Sequence, residues 1–261
     1  MFYRSAEAQY NRLPTLAAEL VRCRAAVIFT ETEVGALAAK AASATIPIVF
    51  AIGGDPVQRG LVASLNRPGG NVTGVSFLHT QLVAKRLQLL HEIVPAATQI
   101  GYLVNPTDAT EVETRTNEAE NAARAFGVSL TIVKAATPGE IEAAFATLVG
   151  QPIDALLVGG DPMFGAHADQ FAALAARHAM PAIFSRAFVQ AGGLISYEAS
   201  IPEAWRLAGT YAGRILKGEK AADLPVMQPT KFDLVINLQT AKVLGLETPP
   251  QLLALADEVI E

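Results

Sequence analysis

Two aspartates with ligand-binding chemistry follow short apolar runs of the sequence, at the point where each run stops. Asp55 comes shortly after the run that ends at Ile52, and Asp161 comes after the run that ends at Val158. A carboxylate accepts short, charge-assisted hydrogen bonds from an ammonium or hydroxyl group. Because each aspartate precedes a proline, it is equally suited to cap a following helix. The residues alone leave both roles open.

Hydroxyl groups lie at a similar position after the first apolar run. Thr30 and Thr32 stand beside the predicted start of a helix, where a hydroxyl and free backbone N–H groups suit a carboxylate. Glu31 and Glu33 would repel such a carboxylate, so we expect at least one of them to point into solvent.

Other candidate ligand contacts also follow strands. Arg186 could pair bidentately with a carboxylate or serve as a solvated or interlobe cation. Phe164 and Tyr197 could stack on an aromatic or apolar ligand or belong to the core, and Asn105 could bind ligand or form an Asx turn. The remaining strand-end candidates are Ser76, Phe77 and Ser185.

Catalytic and metal-binding patterns are missing from the sequence. It contains no G-x-S-x-G, P-loop or H-E-x-x-H motif, and its four histidines lie on predicted helices without ligand spacing. Cys23 is the only cysteine, and its helical, Ala/Leu-rich surroundings predict a buried structural thiol. We therefore predict no cofactor, no metal and no catalytic step.

The apolar runs predict parallel sheet. They show no polar alternation, which is typical of strands buried on both faces by helices, and ligands of such sheets bind beyond the carboxyl ends of the strands. Predicted strands span 25–29, 46–52, 72–77, 99–104, 129–134, 154–158, 181–185, 193–197 and 231–237, with a further possible strand at 2–6. Predicted helices span 34–44, 57–65, 79–93, 110–126, 138–149, 164–178, 202–217 and 239–244.

Composition limits the function classes. The chain has 261 residues, of which 51% are hydrophobic and 17% charged, so it can bury a large core in one large or two ordinary domains. No apolar run approaches the roughly 18 residues of a membrane span. A net charge of −5 without a basic cluster argues against nucleic acid and anionic membranes as partners. The first residues carry no secretory signal, which taken alone favours the cytoplasm or a processed fragment.

Several phrases in order resemble the ABC-transporter substrate-binding protein family that includes tryptophan- and tyrosine-binding members. They are Tyr3-Arg4-Ser5-Ala6-Glu7, Arg12-Leu13-Pro14, Ile46-Pro47-Ile48-Val49-Phe50, Gly53-Gly54-Asp55-Pro56-Val57, Leu65-Asn66-Arg67-Pro68-Gly69-Gly70-Asn71-Val72-Thr73-Gly74 and Pro229-Thr230-Lys231-Phe232-Asp233-Leu234-Val235-Ile236-Asn237. The segment from Tyr211 to Lys220 is similar to the returning helix of sugar-binding proteins of the same type I periplasmic fold.

The resemblance implies an α/β fold of two lobes. Each lobe would be a doubly wound, mainly parallel sheet, with hinge crossovers between the lobes, ligand in the cleft and Asp161 among the cleft residues. We expect residues 1–95 and 199–228 to form the N-terminal lobe and residues 96–198 and 229–261 to form the C-terminal lobe.

The resemblance also implies a function. The expected role is the solute-binding component of an ABC uptake transporter, which captures an amino acid or related carboxylate, aromatic ones included, and presents it to a permease outside the cytoplasm. Closure on ligand would shift the population of the two-lobed protein. The alternative is a cytoplasmic ligand-sensing or regulatory module of the same fold, and an enzyme of the racemase or sugar-phosphate type comes third.

One departure from the family lies ahead of Tyr3. Family members ordinarily have a further strand and helix there, preceded by an export signal. On this ground the sequence predicts an incomplete first lobe without the ligand contacts of its first-strand loop, and self-association through that lobe by exposed sheet edges.

Overall fold

The computed structural model describes residues 2–7, 9–77, 79–107 and 109–261. The chain divides into two compact units. Unit 1 comprises Met1–Leu78 and Ala199–Lys231, and unit 2 comprises His79–Glu198 and Phe232–Glu261. The chain therefore passes between the units at three places, after residues 78, 198 and 231.

The helices and strands account for most of both units. In chain order the helices are α1 (Leu13–Arg22), α2 (Glu33–Ala42), α3 (His79–Ile93), α4 (Ala109–Phe126), α5 (Pro138–Val149), α6 (Pro162–Gly165), α7 (Ala168–Arg177), α8 (Arg186–Gln190), α9 (Ile201–Leu216), α10 (Leu238–Val243) and α11 (Pro250–Leu255). The strands are β1 (Ile28–Thr30), β2 (Ile48–Ile52), β3 (Val72–Ser76), β4 (Gln99–Val104), β5 (Ser129–Lys134), β6 (Ala155–Val158), β7 (Ala182–Phe184), β8 (Ile195–Ala199), β9 (Phe232–Asn237) and β10 (Glu258–Ile260).

Unit 1 is built on a three-stranded sheet in the order β1-β2-β3, with both pairings parallel. Every residue of β2 and β3 is buried; the apolar run of β2 predicted this, whereas β3 also buries the polar Thr73 and Ser76. α9 packs against both strands. Ile48, Phe50, Ile52 and Leu61 form the centre of the core, and each such side chain contributes about 1.5–3 kcal/mol by leaving water.

Unit 2 is built on a seven-stranded sheet in the order β10-β9-β8-β7-β6-β4-β5. The pairings β4–β5, β4–β6, β6–β7, β7–β8 and β9–β10 are parallel. Successive strand residues enter different core clusters: Tyr102 packs in one and Leu103 in the other, and Leu157 and Leu156 divide in the same way. Since alternate side chains point to opposite faces, both faces of this sheet are covered. The predicted α/β class with mainly parallel sheets is confirmed.

The first boundary between the units lies earlier than expected. The sequence analysis placed it after residue 95, whereas the compact units divide after residue 78. The reason is that Leu87 and Leu90 of α3 lie in the core of unit 2, next to Tyr102. The last boundary lies after residue 231 instead of residue 228.

Some predicted elements differ in the structure. The nine predicted strands from 25–29 onward are present, each overlapping its predicted range, but residues 2–6 form no strand. Residues 57–65 form turns instead of a helix, and Gly60 there has a φ of 66°. The predicted helix 164–178 is divided into α6 and α7. α8, α11 and β10 were not predicted, because each is only three to six residues long and gives little periodicity.

The predicted burial of Cys23 is wrong. Cys23 is exposed and follows the last residue of α1. The buried side of α1 carries Ala17, with Leu20 and Val21 packed against the core of unit 1. Cys23 lies one residue past the end of α1, outside the helical positions that pack against this core.

The exposure of Cys23 predicts its reactivity in the native protein. We expect a thiol reagent such as 5,5′-dithiobis(2-nitrobenzoate) to modify one thiol within about threefold of the rate seen in denaturant, because access is open. Absorbance at neutral pH measures the reaction, and a Cys23→Ser variant gives the background. A thiol that reacts only after unfolding would contradict the structure.

Candidate functional site

The carboxyl ends of β4 and β6 bring two predicted contact residues together in unit 2. The strands are neighbours, and the Asn105 Nδ2 group donates a hydrogen bond of 3.1 Å to Asp161 Oδ1. Asn105 Oδ1 in turn accepts from the backbone N–H and the hydroxyl of Thr107, at 3.0 and 2.6 Å. The Asx-turn role and the contact role considered for Asn105 are therefore compatible.

Asp161 is both a helix cap and an accessible acid. Its Oδ1 accepts hydrogen bonds from the backbone N–H groups of Met163 at 2.9 Å and Phe164 at 3.4 Å, which caps α6. The side chain is partly buried. Within the described residues, the hydrogen bonds to this carboxylate end on Oδ1, so Oδ2 is left for another donor.

An arginine that no sequence pattern indicated supports the same loop. Arg115 on α4 donates from Nη1 to the backbone oxygen of Gly160. Burial raises the pKa of the nearby Glu118, and the Arg115 charge opposes that rise. The loop before Asp161 is thus held by a cation from a helix far away in sequence, and a lone helical arginine carries no signal from which this could be inferred.

Phe164 belongs to the core. Its side chain is fully buried, and its ring packs edge-on against Phe171 with centroids 5.4 Å apart. The core role considered for this residue is the one that the structure shows, because the first turn of α6 directs the ring under the sheet edge into the same cluster as Met163. It offers no free face to a ligand.

Ser185 and Arg186 begin α8, at the end of β7. The Ser185 hydroxyl accepts the N–H of Phe188 at 3.4 Å as an N-cap. The Arg186 guanidinium pairs with Glu258 of β10 and lies 3.9 Å from Asp233 of β9. A ligand carboxylate at Arg186 would have to compete with both, so this cation is already engaged within unit 2.

Tyr197 is the middle residue of β8 and does not follow the strand, because β8 runs on to Ala199, and its side chain is half buried. Its ring stacks on Phe232 with centroids 5.7 Å apart and planes 19° from parallel. Burial raises the pKa of the Tyr197 phenol, and the charge of Asp257 acts in the same direction. Its backbone oxygen accepts a 2.7 Å hydrogen bond from Arg86 Nε.

Glu198 is a partly buried acid and the last residue of this part of unit 2. Burial raises the pKa of its carboxyl group. The Arg86 charge, a 3.1 Å hydrogen bond from the Arg186 backbone N–H and the Arg186 charge oppose this rise, whereas the Asp233 charge adds to it. Burial likewise lowers the pKa of Arg86, with Glu198 opposing that change.

The strand ends of unit 1 are closed mainly by their own hydrogen bonds. Thr32 caps α2 by accepting the N–H of Gly35 at 3.0 Å, and Thr30 Oγ1 donates a long 3.4 Å bond to Thr32 O. Glu31 is exposed, whereas Glu33 pairs with Arg59 at 3.5 Å. One of the two glutamates therefore points into solvent, as expected.

Asp55, Ser76 and Phe77 lie at the ends of β2 and β3. Asp55 is exposed, and its Oδ1 accepts the N–H groups of Val57 at 2.8 Å and Gln58 at 3.2 Å. The buried Ser76 donates from Oγ to Gly54 O at 2.7 Å, and the buried Phe77 donates its N–H to Ile52 O at 2.8 Å. The cap role considered for Asp55 is present, although here the N–H groups belong to a turn.

A cavity of about 320 Å³ lies elsewhere in unit 1. Lys40, Leu61, Pro68 and Asn71 are among its lining residues, and none of the predicted contact residues lines it. Lys40 Nζ already donates to the backbone oxygens of Gly60 and Leu61, at 2.6 and 3.2 Å. This cavity therefore does not coincide with the strand-end residues.

Comparison with known proteins places the whole chain in one family. Residues 1–260 match the family described as ABC transporter substrate binding protein. The tyrosine-binding protein of Clostridioides difficile (strain R20291) is 28% identical over 241 residues, which cover 91% of this chain and 69% of that protein.

Two solved structures show the same fold at similar identity. The ABC domain from Streptococcus pneumonia in complex with L-Trp is 26% identical, has a TM-score of 0.86 and aligns over 96% of this chain and 84% of its own. A conserved domain protein from Vibrio cholerae is 27% identical, has a TM-score of 0.90 and aligns over 98% of this chain and 86% of its own.

The environment of Glu198 predicts a pH-dependent stability. A raised carboxyl pKa means that the native state binds the proton more tightly than the unfolded chain. The contribution of Glu198 to stability therefore falls as the pH rises from the pKa of the unfolded chain to that of the native state. Glu198→Gln removes this slope. We expect the free energy of unfolding of the variant, relative to that of the parent, to increase as the pH rises above about 4, the ordinary pKa of a glutamate.

Urea unfolding at several pH values measures this difference. Glu113→Gln, which removes the same charge from an exposed position on α4, is the matched control and should run parallel to the parent. A Glu198→Gln curve that is also parallel to the parent would contradict the assigned environment.

Proposed function

The chain belongs to the ABC transporter substrate-binding protein family, and we propose that its ligand is an amino acid or a related carboxylate, aromatic ones included. It is the solute-binding component of an uptake transporter, and the proposed partner is the permease to which it delivers this ligand. The observation that carries the ligand class is the half-capped carboxylate of Asp161, which is fixed in position yet has one oxygen available.

Asp161 suits the ammonium group of an amino acid. A charge-assisted hydrogen bond to an ammonium contributes about 1.5–3 kcal/mol, more than a neutral pair. Oδ1 is occupied by two backbone N–H groups and by Asn105, which leaves the carboxylate little freedom to rotate. Its position is therefore organised before a ligand arrives, and less ordering entropy is lost on binding.

A second group of unit 2 suits the side chain of such a ligand. Tyr197 offers a half-buried ring that stacks on Phe232, which suits an apolar or aromatic side chain. Arg186 is left out of this assignment because two carboxylates already occupy it.

The relatives support the same ligand class. The relative from Clostridioides difficile, at 28% identity, is a tyrosine-binding protein, and the ABC domain at 26% identity is in complex with L-Trp. We extend this chemistry to the present chain because unit 2 carries a carboxylate beyond the end of β6 and a half-buried aromatic ring on β8. No catalytic step is assigned, since the family consists of binding proteins.

We also propose that the protein works on the outer side of the cytoplasmic membrane, as is usual for its family. In the part of the chain that the structure describes, no helix combines the length and hydropathy of a membrane span.

Titration calorimetry tests the ligand class. L-Tyrosine, L-tryptophan, the corresponding 2-oxo acids, benzoate and a set of neutral sugars are titrated into the protein under one condition. We expect an amino acid to bind more tightly than its 2-oxo acid, because only the amino acid offers an ammonium to Asp161. Tight binding of a neutral sugar together with no response to the amino acids would overturn the proposal.

Asp161→Asn tests the residue that carries the proposal. The amide keeps an oxygen for the N–H groups of α6 but loses the charge, so we expect affinity for the amino acid to fall by about tenfold to a hundredfold. Asp154→Asn is the matched control. Asp154 also accepts two backbone N–H groups, from Thr98 and Gln99, but it stands before β6 at the opposite end of the strand.

The two variants should differ in their affinity for the amino acid. Asp154→Asn is expected to bind like the parent, even where it lowers the melting temperature, because hydrogen bonds hold the pKa of Asp154 below its usual range and its charge aids folding. Equal affinity of Asp161→Asn and the parent would remove Asp161 from the site.

A further inference from the structure

Arg86 is a buried cation with no assigned role. It lies on α3, is only 4% exposed and is one of the few charged residues in the interior of unit 2. Removing a guanidinium from water costs several kcal/mol unless partners replace the lost hydration. The partners it has should therefore reveal what it does.

The recorded hydrogen bond of Arg86 goes to the backbone next to a proposed ligand contact. Nε donates to the Tyr197 carbonyl oxygen at 2.7 Å, a short bond that is aligned by the rigid guanidinium plane. Arg86 and Tyr197 are 111 residues apart in sequence. The bond therefore links the middle residue of β8 to α3.

The charges around Arg86 reinforce this bond from one side. Glu198, the next residue along β8, attracts the guanidinium, and Tyr102 of β4 acts in the same direction, whereas Arg115 of α4 opposes both. Glu198 itself faces Arg186 and Asp233 as well. Arg86 therefore donates a hydrogen bond to the backbone of Tyr197 and is attracted by the charge of Glu198.

Tyr197 has a second support on its ring. Phe232 stacks on one face of the ring, and Phe232 is the residue at which the chain re-enters unit 2. The backbone of Tyr197 is held by Arg86 and its ring by Phe232. Without Arg86, only the ring contact and the strand pairing would fix this residue, one position before the chain leaves unit 2.

We propose that Arg86 is a positioning residue, which holds Tyr197 in the orientation in which the exposed part of its ring meets the ligand. The inference rests on the proposed function, because it takes Tyr197 as part of the ligand site. Arg86 acts through the Tyr197 carbonyl and does not touch the ligand. Loss of Arg86 makes β8 around Tyr197 more mobile. The free energy that ligand binding must then spend on ordering this segment weakens the affinity for the ligand.

Three variants separate positioning from simple structural support. Arg86→Met removes the hydrogen bond and leaves the partly buried Glu198 without its cation. Arg86→Met with Glu198→Gln removes the bond but leaves no uncompensated charge. Arg86→Lys keeps the charge and a donor on a shorter, less rigid side chain. Lys85→Met, which removes the neighbouring charge on α3, is the control; Lys85 Nζ donates to Gln88 Oε1 on the same helix.

Two readouts are recorded for each variant. The first is amide hydrogen exchange of peptides that cover residues 195–200 in the ligand-free protein, and the second is the affinity for L-tyrosine by calorimetry. We expect Arg86→Met to lower both protection and affinity by about tenfold. Arg86→Lys should recover part of each, and Lys85→Met should match the parent.

The double variant decides between the two roles. It should regain the unfolding midpoint of the parent in urea, because no charge is left unpaired, but it should still show the fast exchange and weak affinity of Arg86→Met. If the double variant regains parental exchange and affinity, Arg86 is only a structural partner of Glu198 and the proposal is wrong.

The exchange readout does not depend on the ligand. If the parent fails to bind L-tyrosine while exchange at 195–200 responds as expected, the proposed ligand is wrong and the anchoring of Tyr197 stands. If the parent binds L-tyrosine and Arg86→Met leaves exchange and affinity unchanged, the positioning role is wrong and the proposed function stands.

Discussion

Neighbouring parallel strands end at the same edge of a sheet, and this constraint determines where the polar groups of the protein must find partners. In unit 2, β4 and β6 are adjacent and parallel, so Asn105 and Asp161 emerge side by side although 56 residues separate them. Both side chains accept hydrogen bonds from nearby backbone N–H groups, Asn105 from Thr107 and Asp161 from Met163 and Phe164. The result is a carboxylate that is fixed by capping and bonding, with one oxygen left for a ligand.

The same constraint explains why several candidates are less available than their positions suggested. Ser185 and Thr32 are used as helix caps, and Ser76 bonds the backbone of the neighbouring strand end. A strand end that feeds a helix needs an acceptor for the first free N–H groups. Only the groups left over after this need is met are free to define specificity, and on this ground Asp161 and Tyr197 carry more of the proposed site than the hydroxyls.

Burial of charge is concentrated where unit 2 connects to the rest of the chain. Arg86 is buried and Glu198 is partly buried, and for each the loss of hydration outweighs the attraction of its partner. Such a pair contributes little to stability compared with apolar residues of the same size, but removing one partner alone is costly. We infer that Arg86 serves to fix the position of one backbone carbonyl group, that of Tyr197 in β8.

Sequence reasoning succeeded where the determinant is local and failed where it is distant. Strands such as β2 and β6 followed from apolar runs without alternation, and the aspartate–proline order raised the capping of α6 by Asp161 as one of two roles. By contrast, Arg186 meets Glu258 from 72 residues away, and Arg86 meets Tyr197 across two elements. The burial of Phe164 depends on the direction of a four-residue helix. These facts depend on the packing of elements, which no spacing rule in the sequence describes.

Amide hydrogen exchange of the parent protein with and without a bound amino acid tests the central claim most directly, that the strand-end residues form the ligand site. The account predicts that saturating L-tyrosine slows exchange in peptides that cover residues 105–107, 159–163 and 195–200, and leaves the peptides around the cavity at residues 60–72 unchanged. Slower exchange confined to residues 60–72, with the strand ends unaffected, would contradict it.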